Sequence, residues 1–82
     1  MSIFNEEDNK LVTNLEFKTS EEAMEFMFLV TPLITQHNHH PEWSNVYNKL
    51  KIVLTTHDAG NTITEKDRKL ALAIEKAYWQ YQ

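Results

Sequence analysis

Apolar and polar residues alternate from Leu11 to Lys18, with Leu11, Thr13, Leu15 and Phe17 on one face and Val12, Asn14, Glu16 and Lys18 on the other. A period of two marks a half-buried strand, because successive side chains point to opposite sides of a pleated backbone. Upstream, Ile3 and Phe4 predict a short edge strand that ends in an Asp8-Asn9 turn. Downstream the period lengthens: Ala23, Phe26, Met27, Val30 and Ile34 follow helical spacing, and Thr19 with Glu22 forms a capping-box pattern at the start. Pro32 lies inside that run and predicts a kink or an early stop, since proline lacks an N–H and its ring clashes with the preceding turn.

Beyond Pro41 alternation resumes, with Val46, Leu50, Ile52 and Leu54 facing one way and Lys49, Lys51 and Thr55 the other. Asn48 is the polar break in a phase that never slips, which predicts one long strand or two nearly collinear pieces bent near Asn48. Asp58-Ala59-Gly60-Asn61 is a turn cluster with the only glycine. Thr64-Glu65-Lys66-Asp67 then opens a last helix whose inner stripe would be Leu70, Ala73, Ile74, Ala77, Tyr78 and Tyr81. Two helices on one face of an antiparallel sheet, an α+β two-layer domain over residues 1–82, is the simplest architecture.

The first helix is apolar around most of its circumference, because Met24, Phe28 and Leu29 lie off the core stripe. One sheet face cannot cover all of it, so the same helix of a second subunit is the expected partner. A chain of 82 residues buries only about 60% of its unfolded surface, which also favours self-association. With no cysteine, neither disulfides nor thiolate metal sites are available. The balance of 12 acidic to 8 basic side chains, without a Lys/Arg cluster, disfavours direct nucleic-acid or anionic-membrane binding. The acidic start has no signal-peptide pattern, and no apolar run would span a bilayer, so a soluble cytoplasmic protein is expected.

The chemistry is concentrated where the first helix ends, in Gln36-His37-Asn38-His39-His40-Pro41-Glu42-Trp43, which holds three of the four histidines. Imidazole exchanges protons near neutral pH through either ring nitrogen. Adjacent His39 and His40 point in different directions and could address two atoms of one ligand. His57, in Thr55-Thr56-His57-Asp58 at the end of an alternating run, is the candidate third member. His37 reads as a solvated helix-end residue, favourable near the C-terminal dipole when charged. Neither HxxxH nor HExxH spacing occurs, so a zinc site is not indicated. Asp67 reads as a helix-start residue that satisfies backbone donors, with only indirect influence on chemistry. Trp43, Tyr47, Trp79 and Tyr81 read as packing or subunit contacts, and Lys49 and Lys51 as a solvated strand face.

The run His39-His40-Pro41-Glu42-Trp43, followed by Asn45-Val46-Tyr47-Asn48, Leu54-Thr55-Thr56-His57-Asp58-Ala59-Gly60 and Asp67, resembles the pterin-4a-carbinolamine dehydratase family. The resemblance runs from about Leu11 into the last helix. It implies a β-β-α-β-β-α domain that forms a homodimer or homotetramer partly through the first long helix. It also implies removal of water from a 4a-hydroxytetrahydropterin to give the quinonoid dihydropterin, without a metal or organic cofactor. His39, His40 and His57 would be the catalytic set, with Asn38, Thr55, Thr56 and Asp58 completing the pterin pocket. His39 and His57 would then be the acid/base pair and His40 the group that orients the pterin.

Three features depart from the family pattern. Thr35 stands where an acidic residue is common, four positions before His39, and a hydroxyl cannot raise a histidine pKa as a carboxylate would. The turn between His57 and Asp67 is one residue longer than usual. The sequence also begins without the N-terminal helix of longer relatives. Two other readings follow: a non-catalytic dimerisation or interaction module of the same fold, and a protein acting on a molybdopterin-related pterin.

Overall fold

The computed structural model describes residues 2–82, so residue 1 of the expected domain lies outside the described residues. Chain order is β1 (Asn5–Glu7), β2 (Lys10–Glu16), α1 (Ser20–His37), β3 (Glu42–Val46), β4 (Lys49–Leu54), a 3-10 turn (His57–Ala59) and α2 (Glu65–Tyr81). The four strands form one antiparallel sheet in the order β1-β2-β4-β3. Both helices lie on one side of it. Between the layers sit Leu11, Leu15, Leu50, Ile52 and Leu54 from the sheet and Phe26, Val30, Leu70 and Ile74 from the helices. Phe26 is fully buried beside Phe17, Tyr78 and Tyr81. Truncating a residue so placed to alanine costs about 3–5 kcal/mol.

The expected face of β2 is the buried one, since Leu11, Thr13, Leu15 and Phe17 are all inside. Val12, on the other face, is buried as well. The first strand differs from expectation. Ile3 and Phe4 are not its residues: β1 is Asn5–Glu7, while Phe4 is buried in the core and Ile3 packs against it. The turn is where the sequence puts it, with Asp8 at φ 50° and Asn9 at φ 62°. Two successive left-handed residues make the primed turn whose twist suits a hairpin.

The largest correction concerns residues 42–54. They are not one strand, nor two collinear pieces, but a tight hairpin that reverses at Tyr47-Asn48, with Val46 paired to Lys49 and Trp43 to Ile52. In a two-residue hairpin each pair joins an even position to an odd one, so parity no longer tracks the face. Val46 therefore shares the outer face with Lys49 and is 73% exposed, while Leu50, Ile52 and Leu54 point inward. Asn48 is a turn residue whose Nδ2 donates to the Phe17 carbonyl at 2.7 Å, and Asn45 Nδ2 donates across the turn to Lys49 at 2.9 Å.

Helix α1 begins as its capping pattern predicts. The Glu22 N–H donates to Thr19 Oγ1 at 3.1 Å, and Glu22 Oε1 accepts from the Lys18 N–H, one residue earlier than a strict capping box. It does not stop at Pro32 but runs on to His37. Pro32 is exposed, so the carbonyl it leaves unpaired can turn to water. In α2, Ala71 is buried and Ala73 only half-buried, a small rotation of the expected stripe. The helices are also tied at one end: Tyr81 donates its hydroxyl to Glu25 Oε1 at 2.6 Å, which pushes the phenol pKa up to about 12.

Candidate active site

The end of α1 aims the histidines. Asn38 adopts the left-handed conformation at φ 49°, its N–H bonds the Thr35 carbonyl at 3.2 Å, and the His39 N–H reaches Ile34 at 3.4 Å. This pair of bonds is a Schellman closure, which asparagine accepts more readily than most residues because its short side chain tolerates positive φ. His37 stays on the helix, its Nδ1 2.9 Å from the Leu33 carbonyl, and is half-buried rather than solvated. The chain then leaves in a new direction with His39 turned inward.

His39 meets Asp67 there, Nε2 to Oδ1 at 2.5 Å, with the Asp67 side chain wholly buried and that of His39 11% exposed. The other carboxylate oxygen, Oδ2, accepts from Thr56 Oγ1 at 2.7 Å and from the Thr64 N–H at 2.8 Å. Thr56 gives its one proton to Asp67, so it accepts from Thr64 Oγ1 at 2.7 Å. Burial alone would raise the Asp67 pKa. The hydrogen bonds from His39, the Thr64 amide and Thr56 outweigh it and hold the carboxyl below its ordinary value.

Asp67 thus does more than the sequence suggested. It is the N3 member of a capping box with Thr64, as expected. It is also the carboxylate partner of His39 from 28 residues away. The family pattern points instead to position 35, where Thr35 is exposed and turns its hydroxyl back to the Thr31 carbonyl at 3.5 Å. The available signal was Asp67 itself: a carboxylate at a buried N3 position has a second oxygen to satisfy.

His57 stands on the opposite footing. It opens the 3-10 turn, with its side chain 68% exposed. Its Nδ1 lies 2.6 Å from Asn61 Oδ1 and its Nε2 3.4 Å from Glu42 Oε2. Glu42 also lines a shallow groove of about 250 Å3 with Trp43, Ser44, Lys51 and Val53. His40 and Asp58 are exposed, and Thr55 is buried with its hydroxyl donating to the Asn9 carbonyl at 3.3 Å. Thr56 joins the two halves, since it precedes His57 in the chain and donates to the carboxylate that holds His39. Among the described residues no three His, Asp or Glu side chains are grouped to hold a metal ion.

The profile of the pterin 4 alpha carbinolamine dehydratase family matches residues 2–77. A protein of Prochlorococcus marinus provisionally named pterin-4-alpha-carbinolamine dehydratase is 50% identical over 70 residues, covering 84% of this chain and 73% of its own. A protein of Opitutus terrae with the same provisional name is 42% identical, covering 89% and 75% respectively. Among solved structures, a transcriptional coactivator/pterin dehydratase from Brucella melitensis superposes with a TM-score of 0.84 at 30% identity, over 92% of this chain and 81% of that one. A pterin dehydratase-like protein described as a RuBisCO assembly factor of the alpha-carboxysome shares the fold, with a TM-score of 0.71 at 16% identity over 93% and 87%. The chain belongs to the pterin 4 alpha carbinolamine dehydratase family.

Proposed function

We propose that this protein removes water from a 4a-hydroxytetrahydropterin to give the quinonoid dihydropterin, with His39 and His57 as the acid/base pair and His40 orienting the pterin. The observation that carries the reading is the buried carboxylate of Asp67, which is bonded both to His39 and to the residue before His57. Elimination needs a proton delivered to the departing hydroxyl as the C–O bond breaks, and a base for the proton lost from the ring N–H. Because Asp67 accepts from Nε2, that nitrogen of His39 carries a hydrogen, and in the neutral ring Nδ1 is the acceptor. Asn38, Thr55, Thr56 and Asp58 complete the proposed pocket, and the hydroxyls of both threonines are already used within the protein.

The test follows the loss of freshly generated 4a-hydroxytetrahydropterin by absorbance, comparing the wild type with His39→Ala and His57→Ala. The wild type is expected to accelerate dehydration, and each substitution to lower the rate by about 10²- to 10⁴-fold. A wild-type rate equal to that of buffer would overturn the assignment. Repeating the assay with a molybdopterin-related pterin identifies which pterin is accepted.

A second reading, an interaction module, is favoured by the outward face of α1, where Met24, Phe28 and Leu29 are exposed and line a hollow with Glu21, Glu25 and Tyr81. The same face would join copies of the chain as a homodimer or homotetramer. Scattering on the wild type and on Phe28→Glu tests this: an oligomer reduced to monomer by the charge is expected, and a wild-type monomer at micromolar concentration overturns it. A module would tolerate His39→Ala and His57→Ala and fail on Phe28→Glu, the reverse of the enzyme.

A further inference from the structure

We propose that Asn61 is a positioning residue that holds the His57 imidazole in its Nδ1–H tautomer, so that Nε2 is the nitrogen offered to substrate. The proposal rests on the acid/base reading of His57 given above. Its first support is chemical: Asn61 Oδ1 can only accept, so the His57 nitrogen 2.6 Å away must donate.

The second support is the rigidity of the loop around that contact. Residues 56–62 form a closed ring, in which the Thr56 N–H bonds the Thr62 carbonyl at 2.9 Å and the Asn61 N–H bonds the Thr56 carbonyl at 3.1 Å. The Gly60 N–H bonds the His57 carbonyl at 3.0 Å inside it. Gly60 at φ 84° and Asn61 at φ 58° are both left-handed, which folds the Asn61 side chain back over His57. Asparagine is among the few residues besides glycine that take this conformation readily.

Nothing else described orients this ring as firmly. The Glu42 carboxylate is 3.4 Å from Nε2, both side chains are mostly exposed, and such a pair is screened by water. When Nε2 gives a proton to a leaving hydroxyl, the neutral ring that remains carries its hydrogen on Nδ1, the form already bonded to Asn61. His39 is held the other way round, through Nε2 by Asp67, and keeps Nδ1 as its acceptor. The two rings are thus offered in opposite tautomers.

The experiment records long-range 1H–15N correlations of the histidine rings in the uniformly labelled full chain, at a pH where His57 is neutral. The wild type is expected to show the Nδ1–H pattern for His57. In Asn61→Gly, which keeps the left-handed backbone without strain, the ring should relax to the Nε2–H form that dominates free imidazole. Asn61→Asp, which keeps an acceptor, should restore the Nδ1–H pattern. In the dehydration assay Asn61→Gly should lower kcat a few-fold with KM unchanged, because the ring that donates loses the contact that orients it. An Nε2–H pattern in the wild type, or a pattern that Asn61→Gly leaves unaltered, overturns the proposal. The spectrum requires no turnover, so it fails independently of the activity reading, which falls instead if His57→Ala keeps the full rate.

Discussion

The two halves of the candidate site are built on different principles. His39 is nearly buried, at the end of an 18-residue helix, and its partner Asp67 is wholly buried with every contact satisfied. His57 is mostly exposed on a 3-10 turn and is held by one exposed asparagine and a loose carboxylate. A buried, fully bonded network fixes geometry at the cost of making chemistry and stability inseparable. An exposed loop leaves the second histidine removable without harm to the fold.

That contrast breaks most readily at Asp67. Asp67→Ala removes the partner of a buried histidine, a backbone cap and the acceptor of Thr56 together, and should cost about 3–5 kcal/mol in urea unfolding. His39→Ala and His57→Ala should each slow dehydration by about 10²- to 10⁴-fold. They should part company in stability: His57→Ala stays within about 0.5 kcal/mol of the wild type, while His39→Ala is clearly destabilised because it leaves the Asp67 carboxylate short of a donor. Equal stabilities for the two variants would remove the distinction.

Two smaller effects sharpen it. The Asp67 pKa is depressed in the folded state, so its contribution is complete above the unfolded value of about 3.9 and is lost as pH falls through the folded value. Unfolding followed from pH 6 to pH 2 should show this acid loss in the wild type and in His57→Ala, and should lack it in Asp67→Asn. Thr35→Glu should matter least. If Asp67 already serves as the carboxylate of His39, a second one at an exposed position should change the rate by less than about fivefold, the equivalent of about 1 kcal/mol. A larger gain would mean that Thr35 marks a weakened site.

Much of the fold was legible because it depends on near neighbours in the chain. The alternation from Leu11 to Phe17, the cap at Thr19 and the capping box at Thr64 each operate within a few residues, and each is found in place. The hairpin over residues 42–54 is not legible in the pattern because Val46 stays in phase with Leu50, Ile52 and Leu54 along the sequence. Phase cannot report a reversal of direction, and the turn that makes it uses Tyr47 at φ 56°, a residue type that rarely signals one. Pro32 does not end α1, because the packing of Phe26, Val30 and Ile34 on either side of it holds the helix through to His37.

The sequence by itself determined the helices, the inner face of β2, the turn at Asp8-Asn9 and the cluster of histidines, because capping and periodicity act between residues close along the chain. Tertiary structure alone decided that Asp67, and not position 35, holds His39, and that Thr56 spends its hydroxyl on that same carboxylate. It also decided that one catalytic candidate is buried and the other exposed. Those contacts span 28 and 11 residues, and a hydrogen bond depends on a few tenths of an ångström that only the packed sheet and helices supply.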